Sequence, residues 1–256
     1  MGEAIIAGAT SKGITAPVAI AVSEPIADRR DFLSKTYGVQ VFESGGEAVA
    51  DADLVVLAVK PQEFAKAGKE LAGRLHGDQT VLSIMAGVTM DTICSTVQHA
   101  AIVRAIPNTP AQIGEGITVW TASKEVSGPA RMSIRELLGV LGPEIYVADE
   151  KYVDMATAVS SSGPAYVFLV IEAIIDAAVH IGLRRDMAVP MVLQTVLGSA
   201  RYAQATGLHP AELRNQVTSP GGTTTEGLLA LEQAGLRAAF IEAIEAAYHK
   251  ARDLGG

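Results

Sequence analysis

The sequence predicts an α/β fold. Residues 1–150 read as a doubly wound parallel sheet, and residues 151–256 as an all-helical region. Three observations carry this reading. Residues 54–59, Leu-Val-Val-Leu-Ala-Val, form an uninterrupted apolar run of strand length, as in a parallel sheet covered on both faces. Short runs of this kind alternate with helix-like segments as far as residue 148. Beyond Asp149 no further strand pattern occurs.

The elements follow in order. Residues 1–8 read as a helix from the start, and residues 18–22 as a short strand closed by Ser23, Glu24 and Pro25. A helix over 27–37, a strand over 38–42 and a short helix over 46–50 come next. The strand at 54–59 stops at Lys60 and Pro61, because proline has no N–H for a ladder. Residues 62–75 are helical, 80–85 a strand closed by Ala86 and Gly87, and 91–96 a weak helix. Strands over 101–106 and 117–121, a helix over 131–141 and a strand over 144–148 complete the first region. The second region reads as helices over 151–159, 163–183, 186–204, 210–216, 224–233 and 236–254, with residues 160–164 (Ser-Ser-Ser-Gly-Pro) breaking the first from the second. Ligands of doubly wound sheets sit beyond the carboxyl ends of the strands. The clusters at Ser23–Glu24, 58–61, 86–87 and 108–109 therefore predict the rim of one crevice.

Composition narrows the function. Twenty basic against 28 acidic residues leave a net charge of −8, which argues against a nucleic-acid partner. Cys94 is the only cysteine, so no internal disulfide forms, and the five histidines are scattered without zinc-ligand spacing; no metal site is expected. The N-terminus carries no basic segment followed by an apolar core, and the chain reads as cytoplasmic. Residues 163–183 are apolar and about long enough to span a bilayer. Glu172, Asp176 and His180, spaced four apart, share one face of that helix, so a soluble helix buried on its other faces is expected rather than a membrane span.

The stretch from Val217 to Gly227 carries the most chemistry. Pro220 ends the preceding helix, Gly221 and Gly222 admit unusual backbone angles and close approach, and Thr223, Thr224 and Thr225 open the next helix. Bare N–H groups at that helix start make a small anion site fitted to a carboxylate, or else the segment is a plain helix cap.

A dinucleotide-binding sheet opens with a strand, a G-x-G-x-x-G loop and a helix. Here the helix is present and Gly2 stands where the third glycine belongs. The first strand and two glycines are missing from this chain. We expect the natural protein to begin about 10 residues earlier, at the length of one strand plus loop. Ser23 stands at the position that reads the ribose, with Glu24 beside it. Arg29 and Arg30 follow, which favours a 2′-phosphate unless they simply line a solvated helix face.

Together these motifs resemble pyrroline-5-carboxylate reductases. The resemblance rests on residues 2–6 (Gly-Glu-Ala-Ile-Ile), 58–61 (Ala-Val-Lys-Pro), 83–88 (Ser-Ile-Met-Ala-Gly-Val), 104–110 (Arg-Ala-Ile-Pro-Asn-Thr-Pro) and 114–116 (Gly-Glu-Gly). Its most specific segments are 162–166 (Ser-Gly-Pro-Ala-Tyr) and 218–224 (Thr-Ser-Pro-Gly-Gly-Thr-Thr). Gly45 departs from the family, which often carries a cofactor-contacting Asn there. The resemblance implies reduction of a cyclic imine carboxylate to proline by NADPH, with NADH possible. It also implies a helical dimerisation domain, a homodimer or homodecamer, and an active site between sheet crevice and helical domain. It places Gly2, Ser23, Ala58, Val59, Lys60, Pro61, Ala86, Asn108 and Thr109 at the cofactor. It places Glu150, Ser219, Gly221, Gly222, Thr223 and Thr224 at the substrate, with the Thr224 hydroxyl on the ring nitrogen. Another two-domain dehydrogenase, of the 3-hydroxyacid type, would carry a Lys on the long helix, and residues 163–181 contain none. A non-catalytic oligomer with a decayed cofactor site is the third reading.

Overall fold

The computed structural model describes residues 1–253. The expected helix end at Leu254 lies outside them. The chain divides into two compact units, one of Met1–Gly163 with the end of the chain from Ala246, the other of Pro164–Glu245.

In the first unit, helix α1 (Gly2–Ser11) precedes β1 (Ala21–Ser23), α2 (Ala27–Tyr37), β2 (Gln40–Phe42) and the single turn α3 (Gly45–Ala48). Then come β3 (Leu54–Leu57), α4 (Pro61–Leu71), β4 (Thr80–Ser83), α5 (Met90–Val97), β5 (Ile102–Ile106), β6 (Thr118–Ala122), α6 (Gly128–Gly139), β7 (Glu144–Tyr146) and α7 (Lys151–Ala156). Val18 and Ala19, expected to belong to the first strand, lie instead in a 3₁₀ turn that Pro17 starts. The other elements fall where the sequence placed them, within a few residues at their ends.

Strands β3 to β7 form one sheet in sequence order, and β1–β2 form a separate parallel pair. Alternate residues of the central strands point to opposite faces. Val81 and Ile102 join Phe64, Leu71, Ile93 and Val97 beneath α4 and α5. Leu82 and Val103 join Ile5, Ala9, Ile134 and Leu138 beneath α1 and α6. This two-sided burial explains the continuous apolar runs. Helix α1 spans both sheets, since its Ile6 packs with Leu33 and Val39 beside the β1–β2 pair.

The expectation of an all-parallel sheet needs one correction. β6 pairs antiparallel to β5, with Arg104 opposite Thr121, and β7 runs parallel to β6. The reason lies in the connection. Between β5 and β6 there is only the 3₁₀ turn Thr109–Ile113, too short for the crossover that a parallel neighbour needs. Helix α6 supplies such a crossover between β6 and β7.

The second unit contains α8 (Gly163–His180), α9 (Arg185–Thr206), α10 (Pro210–Gln216), α11 (Thr223–Gln233) and most of α12 (Leu236–Asp253). One expectation fails here. Residues 160–164 do not break the helix; a π turn, Thr157–Ser161, joins α7 to α8. Pro164 has no N–H to donate backwards, and the wide turn absorbs the mismatch while hydroxyls satisfy the loosened carbonyls. Thr157 Oγ1 donates to Val153 O at 2.9 Å, Ser160 Oγ to Ala156 O at 2.9 Å, and Ser162 Oγ to Thr157 O at 3.0 Å. The resulting helical run Lys151–His180 is long and apolar enough to cross a membrane by length and composition.

The other faces of α8, expected to be buried, are left largely uncovered in the single chain. Only Ile175 is fully buried, whereas Val167, Phe168, Leu169 and Ile174 are exposed. Glu172, Asp176 and His180 are exposed as well, and Asp176 pairs with Arg185. The apolar surface far exceeds what the helices of this unit can cover for one another.

Candidate active site

The parallel strands β1, β3, β4 and β5 end at Ser23, Leu57, Ser83 and Ile106, and the predicted cofactor residues lie in the loops just beyond. Ala58, Val59 and Lys60 are exposed between β3 and α4, and Pro61 starts α4. Lys60 makes no ion pair among the described residues. Ala86 packs beside Ile106 and Val153. Asn108 caps the 3₁₀ turn that Thr109 begins, and its Oδ1 accepts from Ile117 N at 2.9 Å.

The N-terminus of α1 has no side-chain cap, and its first N–H groups have no acceptor among the described residues. A Cβ at Gly2 would lie 3.2 Å from the Ala58 Cβ. The helix start and the loop after β3 thus approach to within a glycine's width. A bare helix N-terminus set against strand ends fits the pyrophosphate of a dinucleotide.

The arginines behave differently from their reading as phosphate ligands. Arg29 pairs with Glu3 and stacks on Phe32, 4.8 Å from the ring centre. Arg30 donates to the carbonyls of Glu24 and Pro25 at 2.7 and 2.9 Å. Glu24 accepts from Ile26 N at 3.0 Å and closes the turn after β1. Ser23, exposed, keeps its hydroxyl available, and a Cβ at Gly45 would lie 3.9 Å from it. A side chain at position 45, as the family often has, would therefore stand beside Ser23.

Glu150 has partners that the sequence reading did not foresee. Its Oε1 accepts from Arg104 Nη1 at 2.8 Å and from Met90 N at 2.8 Å. Arg104 Nη2 reaches Asp154 Oδ1 at 2.5 Å. The Arg104 side chain is fully buried, with two carboxylates of α7 and the residue before it as counter-charges. Its Nε finds no partner among the described residues. Arg104 and Asp154 were missed as site residues, although a lone arginine inside the run Ile-Val-Arg-Ala-Ile is itself a signal: a buried charge demands partners.

In the second unit the loop before α11 is tightly built. Gly221 adopts φ +65°, the left-handed region that glycine enters without penalty. Gly222 is the N-cap of α11 and gives no side-chain cap. A Cβ at Gly222 would fall 2.5 Å from Ser219 Oγ and 3.1 Å from Ser219 O. The Ser219 carbonyl accepts from Gly222 N at 3.0 Å and from Thr225 Oγ1 at 2.8 Å. The N–H of Gly222 is therefore spent on the turn rather than left bare at the helix start. The amides of Thr223 and Thr224 open the helix, and their hydroxyls have no partner among the described residues. Such a start can receive a carboxylate and place one hydroxyl on a neighbouring atom.

Residues 150–254 match the family model described as pyrroline-5-carboxylate reductase dimerisation. Residues 1–87 match the one described as NADP oxidoreductase, coenzyme F420-dependent. A pyrroline-5-carboxylate reductase of Synechocystis is 43% identical over 255 residues, covering 100% of this chain and 95% of its own. The solved structure of a pyrroline-5-carboxylate reductase from Coxiella burnetii superposes with a TM-score of 0.91 at 36% identity, covering 100% and 95% of the two chains. That of Plasmodium falciparum pyrroline carboxylate reductase, with NADP bound, gives 0.91 at 29% identity over the same shares. With relatives this similar along its whole length, the chain belongs to the pyrroline-5-carboxylate reductase family.

Proposed function

We infer that this chain reduces 1-pyrroline-5-carboxylate to proline with NADPH, NADH being the alternative donor, as the last step of proline biosynthesis. The observation that carries the reading is the end-to-end similarity to curated reductases, together with the Gly221–Thr224 helix start that suits a small carboxylate. NADPH is preferred because a relative of the same fold holds NADP; the arginine argument from the sequence no longer contributes.

The proposed division of labour follows residues 1–150 for the cofactor and 151–256 for substrate and subunit contact. Gly2 and the α1 N-terminus hold the pyrophosphate, and Ser23 the adenosine ribose. Ala58, Val59 and Pro61 shape the rim, and Lys60 sits by a ribose. Ala86, Asn108 and Thr109 line the nicotinamide, which when bound supplies the hydride. Amides at Gly221 and Thr223 hold the substrate carboxylate, Gly222 and Ser219 fix the loop, and the Thr224 hydroxyl orients the ring nitrogen. No strong base is needed, since the protein's task is to align two planar rings. Glu150 acts through its ion pair rather than as an uncommitted carboxylate.

The dimerisation region supports association of chains, and we propose a homodimer that assembles further to a homodecamer, working in the cytoplasm. Loss of NADPH absorbance on adding the cyclic imine tests the activity, with NADH in parallel. No oxidation of either donor overturns it.

A further inference from the structure

We propose that Arg104 is a positioning residue for the nicotinamide end of the cofactor site, acting through Glu150 on the loop between β4 and α5. The inference rests on the reading of Ala86 as a nicotinamide neighbour. Arg104 lies at the centre of β5, its side chain without solvent exposure. One Nη reaches Glu150 Oε1 and the other Asp154 Oδ1, so a single planar fork holds both ends of the first turn of α7. The same Glu150 oxygen accepts the amide of Met90, the first residue of α5. Met90 directly follows the loop 86–89, in which Val88 is buried and Ala86 half-buried.

The chain of contacts therefore runs from a buried cation, through one carboxylate oxygen, to the backbone of the loop that carries Ala86. Nothing else shown in the structure holds Met90 N at this point: the Thr89 side chain caps the amide of Thr92 instead. If the fork is loosened, Glu150 turns toward solvent, and the loop loses its anchor while the strand beneath it stays in place. Among the described residues no hydrogen bond or ion pair joins Ser23, on the side read as the adenosine's, to this cluster. The effect should fall on one half of the cofactor alone.

The test uses the full chain with Arg104→Lys and Glu150→Gln, and Asp154→Asn as a milder third variant should either of the first fail to fold. Lysine keeps the charge but not the fork. Hydrogen exchange of the Met90 amide, in protein without cofactor, is expected to quicken by roughly ten-fold or more in Arg104→Lys and Glu150→Gln, as loss of a charge-assisted hydrogen bond implies. Calorimetry is expected to show NADPH binding weakened by a similar factor, with adenosine 2′,5′-bisphosphate binding unchanged. Equal weakening of both ligands, or unchanged exchange at Met90, overturns the proposal. If the parent chain binds NADPH but does not turn over the imine, the proposed function falls and this comparison still stands. A parent chain that binds neither ligand overturns both.

Discussion

Glu3 Oε1 accepts a hydrogen bond from the Tyr37 hydroxyl at 2.7 Å, while its Oε2 pairs with Arg29. The first turn of α1 is thereby fastened to both ends of α2. Tyr37 and Arg29 hold the Glu3 carboxyl below its ordinary value of 4.5, and Glu3 raises the Tyr37 phenol above its ordinary 10.0. A lowered acid contributes stability above its ordinary value and loses it as pH falls through the lowered one. A raised phenol contributes below its ordinary value and loses it as pH rises through the raised one. The Glu3 side chain is 34% exposed, so screening limits the pair to about 1 kcal/mol or less. Glu3→Gln is expected to lower the urea midpoint at neutral pH, with the gap closing below pH 4 and above pH 10, taking these as about the ordinary ranges of the two groups. A gap that persists unchanged into acid would contradict this origin.

The same pairing engages Arg29, so it is expected to add little to cofactor affinity. A charged contact to a phosphate is worth roughly ten-fold or more in affinity. Arg29→Ala should change the NADPH dissociation constant by less than about three-fold on that scale, while lowering the melting temperature. A ten-fold loss of affinity for NADPH but not NADH would restore Arg29 as a 2′-phosphate ligand.

Thr224 offers, at the second position of α11, a hydroxyl with no partner among the described residues. Thr224→Ala is expected to lower kcat by roughly ten-fold or more, the usual loss for a transition-state hydrogen bond, with NADPH affinity unaltered. Full activity in the variant would remove Thr224 from the mechanism.

Gly221, at φ +65°, tolerates no branched side chain. Gly221→Val is expected to cost about 1–2 kcal/mol of local strain and to raise KM for the imine, because the amides at the start of α11 shift. Steady-state kinetics with the imine varied checks this; an unchanged KM would show that the loop does not hold the substrate.

Phe168 and Leu169 are 59% and 64% exposed on α8 in the single chain. Sedimentation of the parent protein at micromolar concentration should show a dimer or larger species, and Phe168→Glu with Leu169→Glu should shift it toward monomer. A monomeric parent would leave this apolar face unexplained.

Much of the fold was written in local pattern. The run at 54–59, the alternation up to Tyr146 and the absence of strands afterwards located nearly every element, because burial on two sheet faces and on helix faces leaves different periods. The Gly-Gly-Thr helix start was equally legible, since glycine, proline and threonine act on the backbone next to them. Tertiary structure alone decided the rest. The reversal at β6 depended on which strand lay beside β5, and the continuity of α7 into α8 on hydroxyls that reach back to specific carbonyls. Which acid meets which base was invisible: Arg29 went to Glu3, Arg104 to Glu150 and Asp154. Charge pairing acts across space between residues 26 to 50 positions apart, and the order of residues along the chain carries no local trace of it.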